Sequence, residues 1–215
     1  MRSLINYSFA LLLLLPLFAQ AGAKSAQAVV DDTASQIMTL LNENRDAYRD
    51  DTDALVRDLS DVLDPVVDFQ GFARSVMTVR YSRNASQDQI NRFIDSFKSN
   101  IAEFYGSALL EANGGELTVL EPRDRDQQGP DRTMVHMDIV SPSGDNYRAS
   151  YTMVKIDGQW KVRNVVVEGF NVGLLFRDLF AQAMQDKGND LDAVIADWGS
   201  VIAASREEIE QEVEE

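Results

Sequence analysis

Residues 133–167, TMVHMDIVSPSGDNYRASYTMVKIDGQWKVRNVVV, decide the fold class because they contain three β-strands joined by tight turns. Apolar side chains alternate over 133–140, which predicts a strand with one buried face. A Pro-Ser-Gly-Asp turn then leads into a second strand at 147–156. The following Asp-Gly pair is typical of a hairpin and predicts a third strand at 160–167.

One further strand is expected upstream, at 117–121, separated from the others by a polar loop at 123–131. Strands that follow one another through short turns pair in antiparallel order. The sequence therefore predicts a four-stranded antiparallel meander.

Apolar residues recur at helical spacing both before and after the predicted strands. Thr33 and Gln36 form a capping-box pattern at the expected start of a first helix, and a second helix is expected from Thr52. Ser86 and Gln89 form another capping box before a long amphipathic helix. Two more helices are expected after the sheet, at about 172–184 and 191–202. This order predicts a single α+β domain with a helical layer packed on one face of the sheet.

The two ends of the chain differ from the rest. Residues 1–21 combine an early arginine, a leucine-rich run and an Ala-Gln-Ala site, which is typical of a cleavable signal peptide. Residues 207–215 are rich in glutamate and are expected to form an acidic tail. We therefore expect a secreted, unanchored protein whose single domain spans residues 22–206.

The composition limits the classes of function. The formal net charge is -15 at pH 7, from 20 Lys and Arg against 35 Asp and Glu. Such a protein is repelled by phosphate backbones, which argues against nucleic-acid binding. The absence of cysteine in the sequence excludes disulfides and thiol catalysis.

The sequence lacks the common catalytic motifs. His136 is the single histidine and lies on the strand face opposite Val135, Met137 and Ile139, so we interpret it as an ordinary strand residue. The sequence has no HExxH zinc motif, no G-x-S-x-G elbow and no phosphate-binding glycine loop. We expect no catalytic site, no metal site and no cofactor.

Large apolar residues are frequent around the predicted sheet, and the run Val165-Val166-Val167 is apolar on both faces. These residues on their own favour a well-packed core, and the alternative is an apolar cavity. Composition does not separate the two.

Three blocks of sequence resemble the MlaC-type periplasmic phospholipid-binding proteins, the auxiliary component of the toluene-tolerance ABC transport system. The blocks keep the order and spacing of that family and are LDPVVDF (63–69) with VRY (79–81), ASQDQ (85–89) with FYGSAL (104–109), and GQWKV (158–162) with VEGFN (167–171). The resemblance implies an NTF2-like or cystatin-like fold that encloses an apolar cavity for lipid tails.

The resemblance also implies a function. Proteins of this family carry phospholipid between an outer-membrane lipoprotein–porin complex and an inner-membrane ABC transporter with an MCE-domain ring, which maintains outer-membrane lipid asymmetry. The carried phospholipid would be the ligand. The strong acidity of this chain argues against a basic rim that selects anionic headgroups.

The expected lipid-binding residues come from three parts of the chain, carried over from the resemblance. They are Val76, Phe97, Ile101 and Phe104 from the helices before the sheet; Met137, Ile139, Tyr151 and Val167 from the sheet; and Phe170, Val172, Leu175, Phe176 and Leu179 after it. A one-residue slip in a strand would reverse the face of the sheet residues.

Two other functions remain open at this point. An enzyme on a related fold would need a buried acid, such as Asp138 or Glu168, inside the cavity. An interaction protein that binds no lipid would have a filled core instead of a cavity.

Overall fold

Helices come first along the chain, then a sheet, then helices again, as the computed structural model describes for residues 24–111, 115–141 and 143–205. The side chains of residues 101–109 and 111 are outside that description, as are the predicted signal peptide and acidic tail. The helices before the sheet are α1 (Ala26–Asp50), α2 (Thr52–Leu63), α3 (Phe69–Val76), α4 (Thr78–Ser82) and α5 (Gln87–Glu111). After the sheet come α6 (Val172–Asp186), α7 (Leu191–Ala196) and further helical residues at 198–205.

The start of α1 differs from the prediction. Ser25 caps the helix, since its Oγ accepts a hydrogen bond from the Ala28 amide at 3.1 Å. Thr33 lies inside the helix, where its hydroxyl donates to the Val29 carbonyl at 2.7 Å. The predicted Thr33–Gln36 capping box is therefore wrong. The helix begins earlier because Ala26 and Val30 pack into the core beneath the sheet.

The capping box of α5 is confirmed. The Gln89 amide donates to Ser86 Oγ at 3.1 Å, and the Ser86 amide donates to Gln89 Oε1 at 2.9 Å. These reciprocal bonds satisfy amide groups that a helix start leaves without an internal partner.

The sheet is antiparallel, and its strands are β1 (Glu116–Val119), β2 (Gln127–Gly129), β3 (Arg132–Val140), β4 (Asn146–Ile156), β5 (Gln159–Val167) and β6 (Phe170–Asn171). They lie in the order β1-β3-β4-β5-β6, with β2 also paired to β3. The predicted four-stranded meander corresponds to β1, β3, β4 and β5. The strand count of four is too low, because two very short strands extend the sheet. One of these, β2, lies within the predicted 123–131 loop, where two exposed glutamines and a half-buried glycine show no alternation of apolar residues.

A β-bulge interrupts β5. Thr152 pairs with Asn164 and Met153 pairs with Val162, so Arg163 is an extra residue without a cross-strand partner. An extra residue reverses the inward and outward alternation of the side chains that follow it. As a result Val162 and Val165 line the same side of the sheet, although simple alternation would separate them.

Two main clusters of buried side chains hold the domain together. One joins α3, α5, α6 and α7 around Phe93, Phe180 and Trp198. The other packs the beginning of α1 on the sheet, around Val135 and Met153. Within the described residues, none of the helices has the length and apolarity needed to cross a bilayer.

Candidate functional site: an apolar cavity between helices and sheet

A cavity of about 330 Å³ lies where the two clusters meet. Its wall comes from one side of α1, from the segment joining α2 to α3, from α3, α5 and α6, and from the inner face of β4 and β5. The lining residues are Val29, Val30, Thr33, Ala34, Ile37, Leu63, Val66, Val67, Phe69, Phe72, Phe97, Tyr151, Val162, Arg163, Asn164, Val165, Val172 and Phe176.

Three phenylalanines from three helices form the aromatic part of the wall. The ring centroids of Phe72 and Phe97 are 4.8 Å apart, and those of Phe97 and Phe176 are also 4.8 Å apart. Tilted and edge-on contacts at these distances are favourable for aromatic pairs. The three rings therefore fix the relative positions of α3, α5 and α6 around the cavity.

The segment between α2 and α3 attaches to β5 beside the bulge. The Asp68 amide donates to the Val162 carbonyl at 2.8 Å, and the Val162 amide donates to the Val66 carbonyl at 2.8 Å. This short parallel bridge brings Val66 and Val67 against the sheet. Both valines thereby become part of the cavity wall.

The few polar groups of the wall largely have partners. Arg163 forms an ion pair with Asp68, which is 8% exposed. The Asn164 side chain donates to Asn171 at 2.9 Å and accepts from the Gly173 amide at 3.0 Å. Burial raises the pKa of the Tyr151 phenol to about 12, so this group is neutral at physiological pH. The cavity therefore presents an uncharged phenol, methyl groups and aromatic rings over most of its surface.

The predicted lipid-binding residues do not all meet here. Phe97, Tyr151, Val172 and Phe176 line the cavity. Val76 and Met137 are buried in the two core clusters, while Ile139, Val167 and Leu179 pack against those clusters. Phe170 is 80% exposed and Leu175 is 41% exposed. The side chains of Ile101 and Phe104 lie outside the described residues.

Sequence reasoning missed the contribution of α1 and of the segment before α3. Val29, Val30, Ala34 and Ile37 share one helical face. The expected start at Thr33 excludes Val29 and Val30, and the prediction does not assign Ala34 and Ile37 to the lipid site. The apolar stripe continuing upstream of Thr33 was the available signal. The bulge in β5, which brings Val165 inward, has no clear mark in the sequence.

Polar side chains also cluster on the opposite face of the sheet. His136 Nδ1 lies 2.8 Å from Ser150 Oγ, and His136 Nε2 lies 3.1 Å from Asp126 Oδ1. Hydrogen bonds from the Arg123 side chain hold the pKa of Asp126 well below its usual range. These bonds tie the turn before β2 to β3 and β4. Among the described residues, no group of three or more His, Cys, Asp or Glu side chains is placed to hold a metal ion.

Comparisons with known proteins agree with this architecture. A sequence model of the family described as MlaC protein matches residues 31–200. The toluene tolerance protein ttg2D of Pseudomonas putida is 41% identical over 197 residues, which cover 92% of this chain and 90% of that protein.

A solved structure has the same fold. The phospholipid-binding protein from Ralstonia solanacearum, determined in complex with a phospholipid, matches with a TM-score of 0.73. The two sequences are 19% identical, and the match covers 84% of this chain and 98% of that chain. At this identity the likeness establishes the fold: helices packed on an antiparallel sheet.

Proposed function

The chain belongs to the MlaC family, and from that premise we propose that it is a phospholipid carrier of the periplasm. The observation that supports this most is the apolar cavity of about 330 Å³ between the helices and the sheet. The similar protein from Ralstonia solanacearum was determined with a phospholipid bound. We infer that this chain holds the acyl part of a phospholipid in its cavity.

The energetic demand on such a carrier explains the need for a cavity. Each buried CH2 group gains roughly 0.8 kcal/mol over exposure to water. A carrier must therefore supply on the order of 10 kcal/mol of burial free energy to an acyl chain of about 16 carbons that crosses an aqueous space. Scattered apolar residues on a surface do not supply this, whereas a cavity walled by valines and phenylalanines can.

The proposed lipid site consists of the predicted residues that line the cavity, Phe97, Tyr151, Val172 and Phe176, together with the α1 stripe. The stripe contributes Val29, Val30, Ala34 and Ile37. Tyr151 and most of the α1 stripe belong to the cluster of α1 and the sheet, whereas Phe97, Val172 and Phe176 belong to the helical cluster, so an acyl chain in the cavity would contact both clusters.

The route of transport is part of the proposal. The signal-like residues 1–21 would direct the protein to the periplasm. There it would exchange phospholipid with an outer-membrane lipoprotein–porin complex and with an inner-membrane MCE-domain ABC transporter. The protein would act as a binding and transport protein and not as an enzyme.

Filling the cavity tests the proposed site. Ala34 lines the cavity, so Ala34→Trp places a bulky ring in the space that an acyl chain would use. We expect delipidated Ala34→Trp protein to take up at least tenfold less phospholipid from vesicles than the wild type. The measurement is the amount of lipid that remains with the protein after the vesicles are removed.

Ser35→Trp is the matched control, since Ser35 is the next residue of α1 and is exposed. It adds the same ring outside the cavity and should leave uptake unchanged. Equal uptake by Ala34→Trp and wild type, with the variant folded by circular dichroism, would contradict the proposed site.

A further inference from the structure

A charged groove adjoins the cavity. Val67 and Phe69 line both spaces, so the cavity and the groove adjoin at these two side chains. The groove has a volume of about 580 Å³ and is more open and more polar than the cavity. Its charged lining residues are Lys98, Lys161, Asp64, Asp68 and Asp95. It therefore lies beside the tail cavity but differs from it in chemistry.

The two lysines of the groove contact neighbouring residues of the chain. Lys98 forms an ion pair with Asp64, and Lys161 Nζ donates to the carbonyl of the next residue, Pro65, at 2.9 Å. The two ammonium groups are thus held beside consecutive residues. Ammonium groups held beside consecutive residues offer donors to the oxygens of a phosphate group.

Lys98 also lies where the cavity and the groove adjoin. Its Nζ is 4.4 Å from the centroid of the Phe69 ring, and that ring lines the tail cavity. A lipid with its tails in the cavity would therefore have its glycerol near Phe69 and its phosphate within reach of Lys98. The groove is where the polar part of such a lipid would emerge.

The groove carries unmatched charges of both signs. Within the described residues, Lys161 has no carboxylate partner and Asp95 has no cationic partner. The pair between Lys98 and Asp64 is partly exposed, with 50% of the Asp64 side chain accessible, so a phosphate can replace that carboxylate at low cost. Lys161 and Asp95 together match a headgroup that has one anionic and one cationic end.

From these observations we propose that the groove binds a zwitterionic phospholipid headgroup. This inference rests on the proposed lipid-carrier function. The phosphate contacts Lys98 and Lys161, and the amine of an ethanolamine contacts Asp95. The site therefore favours phosphatidylethanolamine over anionic lipids with the same acyl chains.

Paired lipids test the phosphate contact. Delipidated wild type and the double variant Lys98→Gln/Lys161→Gln are loaded from vesicles with either phosphatidylethanolamine or the diacylglycerol with the same tails. We expect the double variant to lose about tenfold in affinity for the phospholipid and to retain its affinity for the diacylglycerol. Native mass spectrometry measures the bound fraction.

The control variant is Lys155→Gln/Lys187→Gln, which removes the same charge. Lys155 lies 5.3 Å over the Trp160 ring, and Lys187 forms an ion pair with Asp197 at 2.7 Å, so both make contacts like those of Lys98. Neither lines the groove. This control should load both lipids like the wild type.

Asp95→Asn tests the amine contact. The wild type should load phosphatidylethanolamine several-fold better than phosphatidylglycerol from mixed vesicles, and Asp95→Asn should remove that preference. A wild type without the preference, or an Asp95→Asn variant that keeps it, overturns the assignment of the amine.

The remaining outcomes separate the two proposals. Equal affinities of wild type and Lys98→Gln/Lys161→Gln for phosphatidylethanolamine, or equal losses for both lipids, overturn the headgroup site and leave the carrier function standing. A wild type that loads neither lipid overturns the carrier function itself. Lysine-dependent binding of inorganic phosphate, with lipid loading unaffected, assigns the groove to free phosphate and also overturns the headgroup site.

Discussion

Tyr151 contributes a phenol to the wall of the cavity, and burial raises its pKa to about 12. The unfolded value is about 10, so folding favours the neutral phenol. The neutral phenol therefore contributes its full share to the folding free energy below about pH 10. This contribution is lost as the pH rises through the pKa of the folded state, because the phenol of the unfolded chain ionises first. The pKa of Tyr48 is also raised, to about 12, mainly by burial and secondly by its hydrogen bond to Asp58, so Tyr48 affects stability in the same way.

We therefore predict that Tyr151→Phe reduces the fall in stability between about pH 10 and pH 12. Urea unfolding of wild type and variant across this range measures the difference. Tyr147→Phe is the control, because Tyr147 is 44% exposed and folding leaves much of its ring accessible. If Tyr151→Phe and wild type lose stability in parallel, the phenol is not buried as described.

Single residues of the site were predictable where the helical period was strong. Phe97 and Phe176 belong to apolar stripes that the sequence makes plain, and both line the cavity. Leu175 belongs to the same helix as Phe176 but is 41% exposed. A stripe identifies the buried side of a helix, but it does not say which of its residues face a cavity and which face a neighbouring helix.

Among the elements, α3 is held at its start by one residue that has two roles. Asp68 Oδ1 accepts from the Gly71 amide at 2.9 Å and so caps the helix, while its other oxygen pairs with Arg163 of the β5 bulge. The side chain of Asp68 is buried and that of Arg163 is 34% exposed. The pair therefore connects the helix that carries Phe72 to the sheet across the cavity wall.

Substitution of Asp68 separates these two roles. Asp68→Asn keeps a good capping residue but leaves Arg163 without its carboxylate, which should cost roughly 2 kcal/mol of folding free energy, between a surface and a fully buried pair. Asp68→Ala also removes the cap and should cost about 1 kcal/mol more. Equilibrium urea unfolding gives both values. Equal stability of Asp68→Asn and wild type would mean that the ion pair does not hold α3.

Elements defined by local signals were predicted well. The capping box of α5 and the Asp157-Gly158 hairpin act within a few residues, and both are present. The early start of α1 and the bulge at Arg163 depend on contacts with distant parts of the chain. Because local periodicity does not register such contacts, it misplaced the first helix and could not fix the inward face of β5.

At the scale of the whole molecule, the cavity is the space left between two separate clusters. One cluster belongs to the helices around Phe93 and Trp198, and the other joins α1 to the sheet around Val135. The sequence predicts the α+β class and the family resemblance. The solved structure with the same fold confirms the class, and the matching family model confirms the family. Composition could not distinguish a cavity from a filled core, since both need the same apolar residues and differ only in how the elements meet.

The most direct test of the central claim is native mass spectrometry of the full chain, expressed with residues 1–21 in place and purified from the periplasm of a Gram-negative host without detergent. We predict a mass above that of the purified polypeptide by one or two phospholipids, and these lipids should be recovered by solvent extraction. Protein that carries no lipid under these conditions, and takes up none from vesicles while folded, would contradict the claim that this cavity carries phospholipid.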